Sequence, residues 1–263
     1  MQVKVNGIDI NYELEGSEEG SVVVFSHSLM ADLSMWEAQA AALAGRYRVL
    51  RFDTRGHGGS TARAGAYSLE MLSDDVEALL DALDLGPVHF VGLSMGGMIG
   101  QTLALRAPER LESLVLCDTS SRIPPDAGPM WQERIDTAQN QGMAALAEGT
   151  LDRWFSPEFK AAQPAQVEGV RQMILATEVL GFVGCCHAIS QLDLTEQISA
   201  IEKPTQIIVG SDDEGTPVAA HEVIRDQIKG SELCILKGAR HLSNIESVDE
   251  FNQALVAFLD RQA

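Results

Sequence analysis

The sequence predicts an α/β fold in which a mostly parallel sheet has helices on both faces and carries an inserted helical segment. The first observation is that short β-branched apolar runs alternate with helical patterns up to about residue 120 and again in the last quarter of the chain. The second is that residues 121–188 contain helical patterns and prolines but no convincing strand. Because the alternation then resumes, we predict one core built from residues 1–120 and 189–263, with residues 121–188 as a helical cap.

The chain begins with a predicted hairpin and a buried strand. Residues 2–5 and 9–14 alternate polar and apolar side chains, and the Asn6-Gly7 dipeptide between them favours a tight turn. The run SVVVFS at 21–26 is typical of a strand buried on both faces of a parallel sheet. The elements predicted next are a helix over 35–44, a strand over 47–52, a helix over 68–83 with Ser68 as its N-cap, a strand over 87–92, a helix over 96–106 and a strand over 111–118.

The elements predicted after the cap complete the same sheet. They are a strand over 204–210, a helix over about 217–229, a strand over 232–238 and an amphipathic helix over 248–259. No apolar run approaches the roughly 20 residues that would span a bilayer, and the amino terminus lacks the apolar core of a signal peptide. We therefore expect no membrane-spanning segment.

The charge balance argues against two classes of partner. Among 263 residues, 19 Lys and Arg stand against 38 Asp and Glu, which gives a formal net charge of −19. Nucleic acids and anionic membranes bind positive surfaces, so neither is expected as a partner. An anionic small molecule would need a locally placed arginine, because the overall field repels it.

The four cysteines and six histidines show no spacing typical of disulfides or metal sites. Cys185 and Cys186 are adjacent and could form only a strained bridge, so free thiols in a reducing cytoplasm are expected. No H-E-x-x-H or comparable pattern is present, and we predict neither a metal nor another cofactor. The oligomeric state is left open.

Ser94 is the candidate nucleophile. The segment Gly92-Leu93-Ser94-Met95-Gly96 matches G-x-S-x-G, and a buried strand precedes it while a helix follows it directly. Small residues around the serine would let strand and helix approach closely at a strained turn. The helix N-terminus would also supply unpaired N–H groups for developing negative charge.

A nucleophilic serine needs a base and an orienting carboxylate, which in this chain order follow as acid and then histidine. Asp212 and Asp213 come directly after the strand at 204–210, and we favour Asp213 from its distance to the strand end. His241 lies in the loop after the last strand and is the candidate base.

An oxyanion hole would use two backbone N–H groups. Met95, directly after the serine, is one expected donor, and Leu29, in the loop after the strand at 21–26, is the other. The Gly-rich segment FDTRGHGGS at 52–60 lacks the G-x-x-x-x-G-K-[ST] pattern of a phosphate loop. We interpret it as a structural turn in which Arg55 braces neighbouring loops.

Several segments carry a resemblance to a known family. They are DLSMW (32–36), RVLRFDTRGHGGS (48–60), GLSMGGM (92–98), GMAALAEGTLDRWFSPEF (142–159), GCCHAISQLDL (184–194) and HLSNIE (241–246). The chain resembles the α/β hydrolases with a helical cap and, among them, is similar to the 3-oxoadipate enol-lactonases of aromatic-acid degradation over nearly its whole length. The serine motif and RG-x-G-x-S are shared across that superfamily, whereas DLSMW, the segment ending in RWF and HLSNIE are more specific to the lactonases.

The resemblance implies an α/β-hydrolase fold and a reaction in which 3-oxoadipate enol-lactone and water give 3-oxoadipate. The substrate carries a carboxylate, for which Arg153 and Trp154 of the cap are the predicted contacts, with internal packing as the alternative role. One departure concerns the early loop. It reads SHSLMAD, whereas these lactonases usually have Asn-Ser-Leu-Gly, so His27 and Met30 could change the pocket.

Other functions remain open from the sequence. A carboxylesterase or a C–C bond hydrolase would use the same fold and the same three residues on a different acyl group. A cofactor-free perhydrolase activity could accompany either. Dehalogenases and epoxide hydrolases need a carboxylate where Ser94 stands, and a non-catalytic small-molecule receptor would commonly lack one of the three residues.

Overall fold

A single eight-stranded sheet forms the centre of the molecule in the computed structural model, which describes residues 1–262. The strands, in chain order, are β1 (Gln2–Val5), β2 (Ile8–Gly16), β3 (Val22–Ser26), β4 (Arg48–Phe52), β5 (Val88–Leu93), β6 (Leu111–Cys117), β7 (Thr205–Gly210) and β8 (Glu232–Leu236). Their order across the sheet is β1-β2-β4-β3-β5-β6-β7-β8. β1 and β2 pair antiparallel, as do β2 and β4, and all other pairs are parallel. The predicted fold class is confirmed.

Helices cover both faces of this sheet. They are α1 (Glu37–Leu43), α2 (Leu69–Ala82), α3 (Met95–Arg106), α4 (Gly128–Gln141), α5 (Ala144–Trp154), α6 (Pro157–Ala162), α7 (Pro164–Ala176), α8 (Val179–Ser190), α9 (Val218–Gln227), α10 (Ser243–Glu246) and α11 (Val248–Leu259). α1 packs against α11, and α2 packs against α3, which also contacts β5. Because of this cover, every residue of β5 and β7 is buried, as their continuous apolar runs predict.

The element boundaries agree with the sequence prediction within about two residues, and two of the differences have a local cause. The helix predicted over 35–44 begins as a tighter 3₁₀ turn at Leu33–Trp36, since the Asp32 carboxylate accepts the Ser34 N–H at 2.9 Å. β2 continues to Gly16, beyond the apolar alternation that ends near residue 14, because it pairs with β4 along its whole second half. There the exposed Glu13 and Glu15 form ion pairs with Arg51 of β4.

The connection between β6 and β7 is helical and contains α4 to α8. Its two ends meet at a short antiparallel bridge between Arg122 and Asp193, and the same two side chains form an ion pair at 2.7 Å. The helical segment therefore leaves and rejoins the sheet at one point, and α10 is a further short helix that the sequence did not predict.

None of the helices in residues 1–262 is long and apolar enough to cross a membrane by itself. α7 and α8 meet the length and composition of a span only when taken together, and they are bent by 93°.

Candidate active site

Four loops at the carboxyl ends of parallel strands meet in one cavity of about 690 Å³. The loop after β3 contributes Leu29, the turn after β5 contributes Ser94, and the loops after β7 and β8 contribute Asp213 and His241. Cap helices α4 and α5 complete the wall. The structure thus brings Ser94, Asp213 and His241 together, although they are far apart in the sequence.

Ser94 lies on a strained turn between β5 and α3. Its backbone has φ 55° and ψ −113°, a left-handed conformation that non-glycine residues rarely adopt. The turn is held on both sides, since the Ser94 N–H donates to the Cys117 carbonyl at 2.9 Å and the Thr119 hydroxyl donates to the Ser94 carbonyl at 2.7 Å. Strand β6 and the residues directly after it therefore fix the position of the serine.

The glycines on either side of Ser94 are needed because backbones approach closely there. A Cβ at Gly92 would collide with the carbonyl of Gly96, and a Cβ at Gly96 would collide with the carbonyl of Ser26 in β3. Neither glycine has a positive φ, so the requirement is for space and not for backbone freedom.

The imidazole of His241 is paired with Asp213 and not with Asp212. Nδ1 of His241 lies 2.7 Å from Oδ2 of Asp213, and both side chains are buried. Asp213 also accepts hydrogen bonds from the N–H groups of Gly215 and Thr216 at 2.8 and 3.0 Å, and from the Thr216 hydroxyl at 2.6 Å. Asp212 is exposed and accepts a hydrogen bond from Ser211.

Electrostatics in this pair favour a charged carboxylate beside a basic imidazole. Burial by itself would raise the pKa of Asp213, but the charge and hydrogen bond of His241 and the bonds from Thr216 outweigh it and lower that pKa. Burial would likewise lower the pKa of His241, but Asp213 outweighs it and raises that pKa above its ordinary value. Asp213 can therefore stabilise an imidazolium that forms at His241.

The two predicted oxyanion donors lie at the correct end of the sheet. Ser94 and Leu29 both line the cavity, and Met95 is the first residue of α3. Among the turn and loop hydrogen bonds of residues 1–262, neither the Leu29 N–H nor the Met95 N–H has a backbone acceptor. Both amides are therefore free to donate to a ligand.

The unusual residues of the early loop hold its shape. The Met30 N–H donates to Nε2 of His57 at 3.1 Å, and the Thr54 N–H donates to Nε2 of His27 at 2.8 Å. Burial lowers the pKa of His57 to about 3, so this ring stays neutral and can accept. Met30 has φ 67°, which explains why glycine is a natural residue at this position.

The two predicted cap contacts both line the cavity but differ in burial. Trp154 is buried and stacks on the His241 ring, with centroids 6.1 Å apart and planes at 28°. Arg153 is exposed, and its Nη2 lies 3.4 Å from the Thr150 hydroxyl. Trp154 therefore contacts the candidate base directly, while Arg153 reaches the solvent-facing part of the wall.

Arg134 of α4 lines the same cavity and was missed from the sequence. Its guanidinium lies 5.4 Å from the ring centroid of Trp131 and 5.8 Å from that of Phe182. A signal exists in the helical spacing, because the buried Ile135 and Ala138 place the neighbouring Arg134 near the inner face of α4. This spacing alone, however, does not indicate a binding role.

A second buried carboxyl, Asp118 at the end of β6, was also missed. Its Oδ1 accepts the Gly210 N–H at 2.8 Å, and its Oδ2 lies 2.5 Å from the Ser243 hydroxyl. Asp118 therefore links the segment three residues before Asp213 to the segment two residues after His241. Burial, followed by the charge of Asp213, raises the pKa of Asp118 well above its ordinary value.

Arg55 has the bracing role expected of it. It forms a two-point ion pair with Asp75 of α2, with both N···O distances 2.7 Å, and it does not line the cavity. Within residues 1–262, no group of His, Cys, Asp and Glu side chains is arranged to hold a metal ion.

Comparisons with known proteins agree with this architecture. A family model described as the alpha/beta hydrolase fold matches residues 21–248. A 3-oxoadipate enol-lactonase of Acinetobacter baylyi is 35% identical over 254 residues, which cover 97% of this chain and 94% of that protein. The crystal structure of an enol-lactonase from Burkholderia xenovorans matches with a TM-score of 0.95 at 38% identity, covering 99% of this chain and 100% of that one. A thermophilic esterase from Thermogutta terrifontis matches with a TM-score of 0.94 at 27% identity, covering 100% of this chain and 99% of that one.

Proposed function

The chain belongs to the α/β-hydrolase fold family, and from this premise we propose that it is a serine hydrolase that converts 3-oxoadipate enol-lactone and water into 3-oxoadipate. The proposal includes aromatic-compound degradation, which the resemblance implies, and a cytoplasmic location, for which the four free cysteines are the support. The family supports the coarser part, a small ester or lactone as substrate.

One observation carries the choice of an anionic lactone. The cavity that holds Ser94 and His241 also presents arginine side chains, although the protein as a whole has a formal net charge of −19. A cation kept in the pocket of an acidic protein is suited to an anionic ligand, because the overall field gives such a ligand no help. Arg153 would attract the substrate carboxylate from the exposed part of the wall, and Trp154 would supply an apolar wall beside the lactone ring.

The first half of the reaction opens the ring. Ser94 attacks the lactone carbonyl with Oγ while His241 takes its proton, and the N–H groups of Leu29 and Met95 donate to the oxyanion. When the tetrahedral intermediate collapses, the ring C–O bond breaks and His241 returns the proton to the leaving enolate oxygen. The enol then tautomerises to a ketone, which removes the nucleophile that could close the ring again.

The second half releases the product. His241 takes a proton from a water molecule, and the resulting hydroxide attacks the acyl carbon bound to Ser94. The acyl–oxygen bond breaks, the serine oxygen regains the proton from His241, and 3-oxoadipate leaves as the free acid anion. Asp213 keeps the imidazole oriented and stabilises its cation in both halves.

The test is to follow the loss of enol-lactone absorbance with the purified protein and with its Ser94→Ala variant. We expect the variant to lose about six orders of magnitude in kcat, because the nucleophile is removed and only the oxyanion donors and substrate binding remain. Ser199→Ala, an exposed serine outside the cavity, is the matched control and should retain wild-type activity.

A simple p-nitrophenyl ester and a fluorophosphonate probe separate the alternatives. Fast ester cleavage with no lactone turnover would contradict the lactonase proposal and leave an esterase with the same serine. Absence of both activities, together with no labelling of Ser94 by the probe, would favour a non-catalytic receptor.

A further inference from the structure

Arg134 is a cation that the protein itself leaves without a counter-ion. The acidic side chains Glu133 and Glu214 also line the cavity, yet neither forms an ion pair with it in the described residues 1–262. The polar contact of its Nη2 is the thioether of Met30 at 3.5 Å, which is a weak acceptor. Its charge is therefore uncompensated within the described chain.

The surroundings of Arg134 make this arrangement costly. Its Nε is fully buried and has no acceptor, and the indole N–H of Trp131 one helical turn earlier is also buried without one. Burial, with the nearby charge of Arg153, lowers the pKa of Arg134. Buried donors without acceptors cost about 1–3 kcal/mol each, and a desolvated unpaired charge costs more, so a ligand that supplies an acceptor here would be bound favourably.

The aromatic contacts hold the guanidinium in place without satisfying its hydrogen bonds. Trp131 and Phe182 come from different cap helices, α4 and α8, and both rings lie within 6 Å of the guanidinium carbon. A planar guanidinium held in this way can offer two parallel N–H groups to a carboxylate. Arg153, by contrast, is exposed, so solvent screens whatever ion pair it forms.

We infer that Arg134 is the principal receptor for the carboxylate of the substrate, and that the cavity selects esters and lactones whose acyl part ends in an anionic group. Arg153 then contributes a weaker, solvent-screened attraction on the same wall. The reaction at Ser94 is taken from the proposed function, on which this inference rests.

The test compares an anionic ester with a neutral ester of similar length. Suitable substrates are the mono-p-nitrophenyl ester of glutaric acid, which carries a free carboxylate, and p-nitrophenyl pentanoate, which does not. Arg134→Met keeps the apolar volume and removes the charge and the donors. We expect it to lower kcat/KM for the anionic ester by about 10- to 100-fold, chiefly through KM, and to change the neutral ester by less than about threefold.

Two further variants make the comparison specific. Arg134→Lys keeps a charge but loses the planar fork, so it should recover part of the preference for the anionic ester. Arg153→Gln, on the same wall, should reduce the anionic preference by less than about fivefold. The ratio of the two substrates in one preparation does not depend on the fraction of folded protein, so a variant that folds poorly still gives a valid result.

If Arg134→Met leaves the ratio of kcat/KM for the two esters unchanged, the inference is overturned and Arg134 is assigned to packing of the cap. If Arg153→Gln reduces the preference for the anionic ester more than Arg134→Met does, the inference is overturned and Arg153 is the principal receptor. Lactone turnover by the wild-type protein is measured separately. If the protein does not hydrolyse the lactone but shows the Arg134-dependent preference for the anionic ester, the proposed reaction is wrong and the receptor role of Arg134 is supported. If it hydrolyses the lactone but the preference does not depend on Arg134, the proposed reaction is supported and the receptor role is wrong.

Discussion

At the scale of single residues, the site is held together by buried side chains that form hydrogen bonds with one another and with nearby backbone groups. Asp213 accepts hydrogen bonds at both oxygens, and Asp118 holds together the two segments that carry Asp213 and His241. Two buried carboxyls near one imidazole cannot both be charged at low cost, because like charges disfavour one another. The pKa of Asp118 is raised and the pKa of Asp213 is lowered, so Asp118 is the carboxyl that holds its proton and Asp213 is the one that is charged.

The raised pKa of Asp118 predicts a pH dependence of the free energy of unfolding that Asp118→Asn should remove. The folded state keeps the Asp118 proton to higher pH than the unfolded chain does, so wild-type stability falls as pH rises between the two pKa values. The slope is up to about 1.4 kcal/mol per pH unit. Asparagine has no such proton, so the free energy of unfolding of the variant relative to wild type should rise with pH. Urea unfolding of both proteins between about pH 5 and pH 8 measures this, and a difference independent of pH would contradict it.

The residue scale also shows what sequence alone can and cannot predict. Ser94 could be predicted because G-x-S-x-G follows a buried strand, and His241 because it lies in the loop after the last strand, where the chain order calls for a histidine. Asp212 and Asp213 are neighbours on one loop, and what distinguishes them is burial, the hydrogen bond with His241 and the contacts of Thr216. Arg134 could not be assigned, because its role depends on an unpaired charge, and pairing is a property of the packed structure.

At the scale of elements, the cap is docked on the core through close backbone contacts. A Cβ at Gly181 of α8 would collide with the backbone of Gly56, and a Cβ at Gly184 would lie 2.6 Å from the ring of Tyr67. The Tyr67 N–H also donates to the Gly184 carbonyl at 3.1 Å. These contacts fix α8, and with it Phe182, beside the loop at 54–58.

Gly181→Ala should therefore destabilise the protein, whereas alanine at an open glycine of the cap should not. The added methyl at position 181 has no room, and we expect a loss of about 1–3 kcal/mol in the free energy of unfolding. Gly169 in α7 has nothing near its Cβ position, so Gly169→Ala should gain about 0.5–1 kcal/mol from helix propensity. Urea denaturation compares the two, and a similar effect of both variants would argue against the close contact.

The elements themselves were largely predictable, and the departures have local causes. Strands buried on both faces, such as β5, are visible as apolar runs of the right length. The start of the first helix depends on whether Asp32 caps a 3₁₀ or an α turn, which hydrophobic spacing cannot distinguish. The end of β2 depends on its pairing with β4, a contact between residues far apart in the chain.

At the scale of the whole molecule, the net charge and the two arginines of the cavity have opposite signs. The formal net charge of −19 repels an anion at long range, while Arg134 and Arg153 attract it inside the cavity. Salt screens the long-range part strongly and the buried part much less. The approach of an anionic substrate should therefore become easier as ionic strength rises.

We expect kcat/KM for an anionic ester to increase about two- to threefold between about 20 and 200 mM NaCl, with little change for a neutral ester of the same length. Initial rates at low substrate concentration measure both. A decrease of kcat/KM for the anionic ester with rising salt would contradict this expectation. It would mean that attraction by the arginines of the cavity outweighs repulsion by the net charge even at long range.

The stacking of Trp154 on His241 has an optical consequence. An imidazolium quenches the fluorescence of an adjacent indole more strongly than a neutral imidazole does, so the tryptophan emission contains a record of the protonation state of the ring. The protein thus carries its own spectroscopic reporter for the group proposed as its base. His241 can therefore be titrated without substrate by following tryptophan emission against pH. The His241→Gln variant serves as the control, because its emission changes come only from other groups, such as those near Trp36 and Trp131.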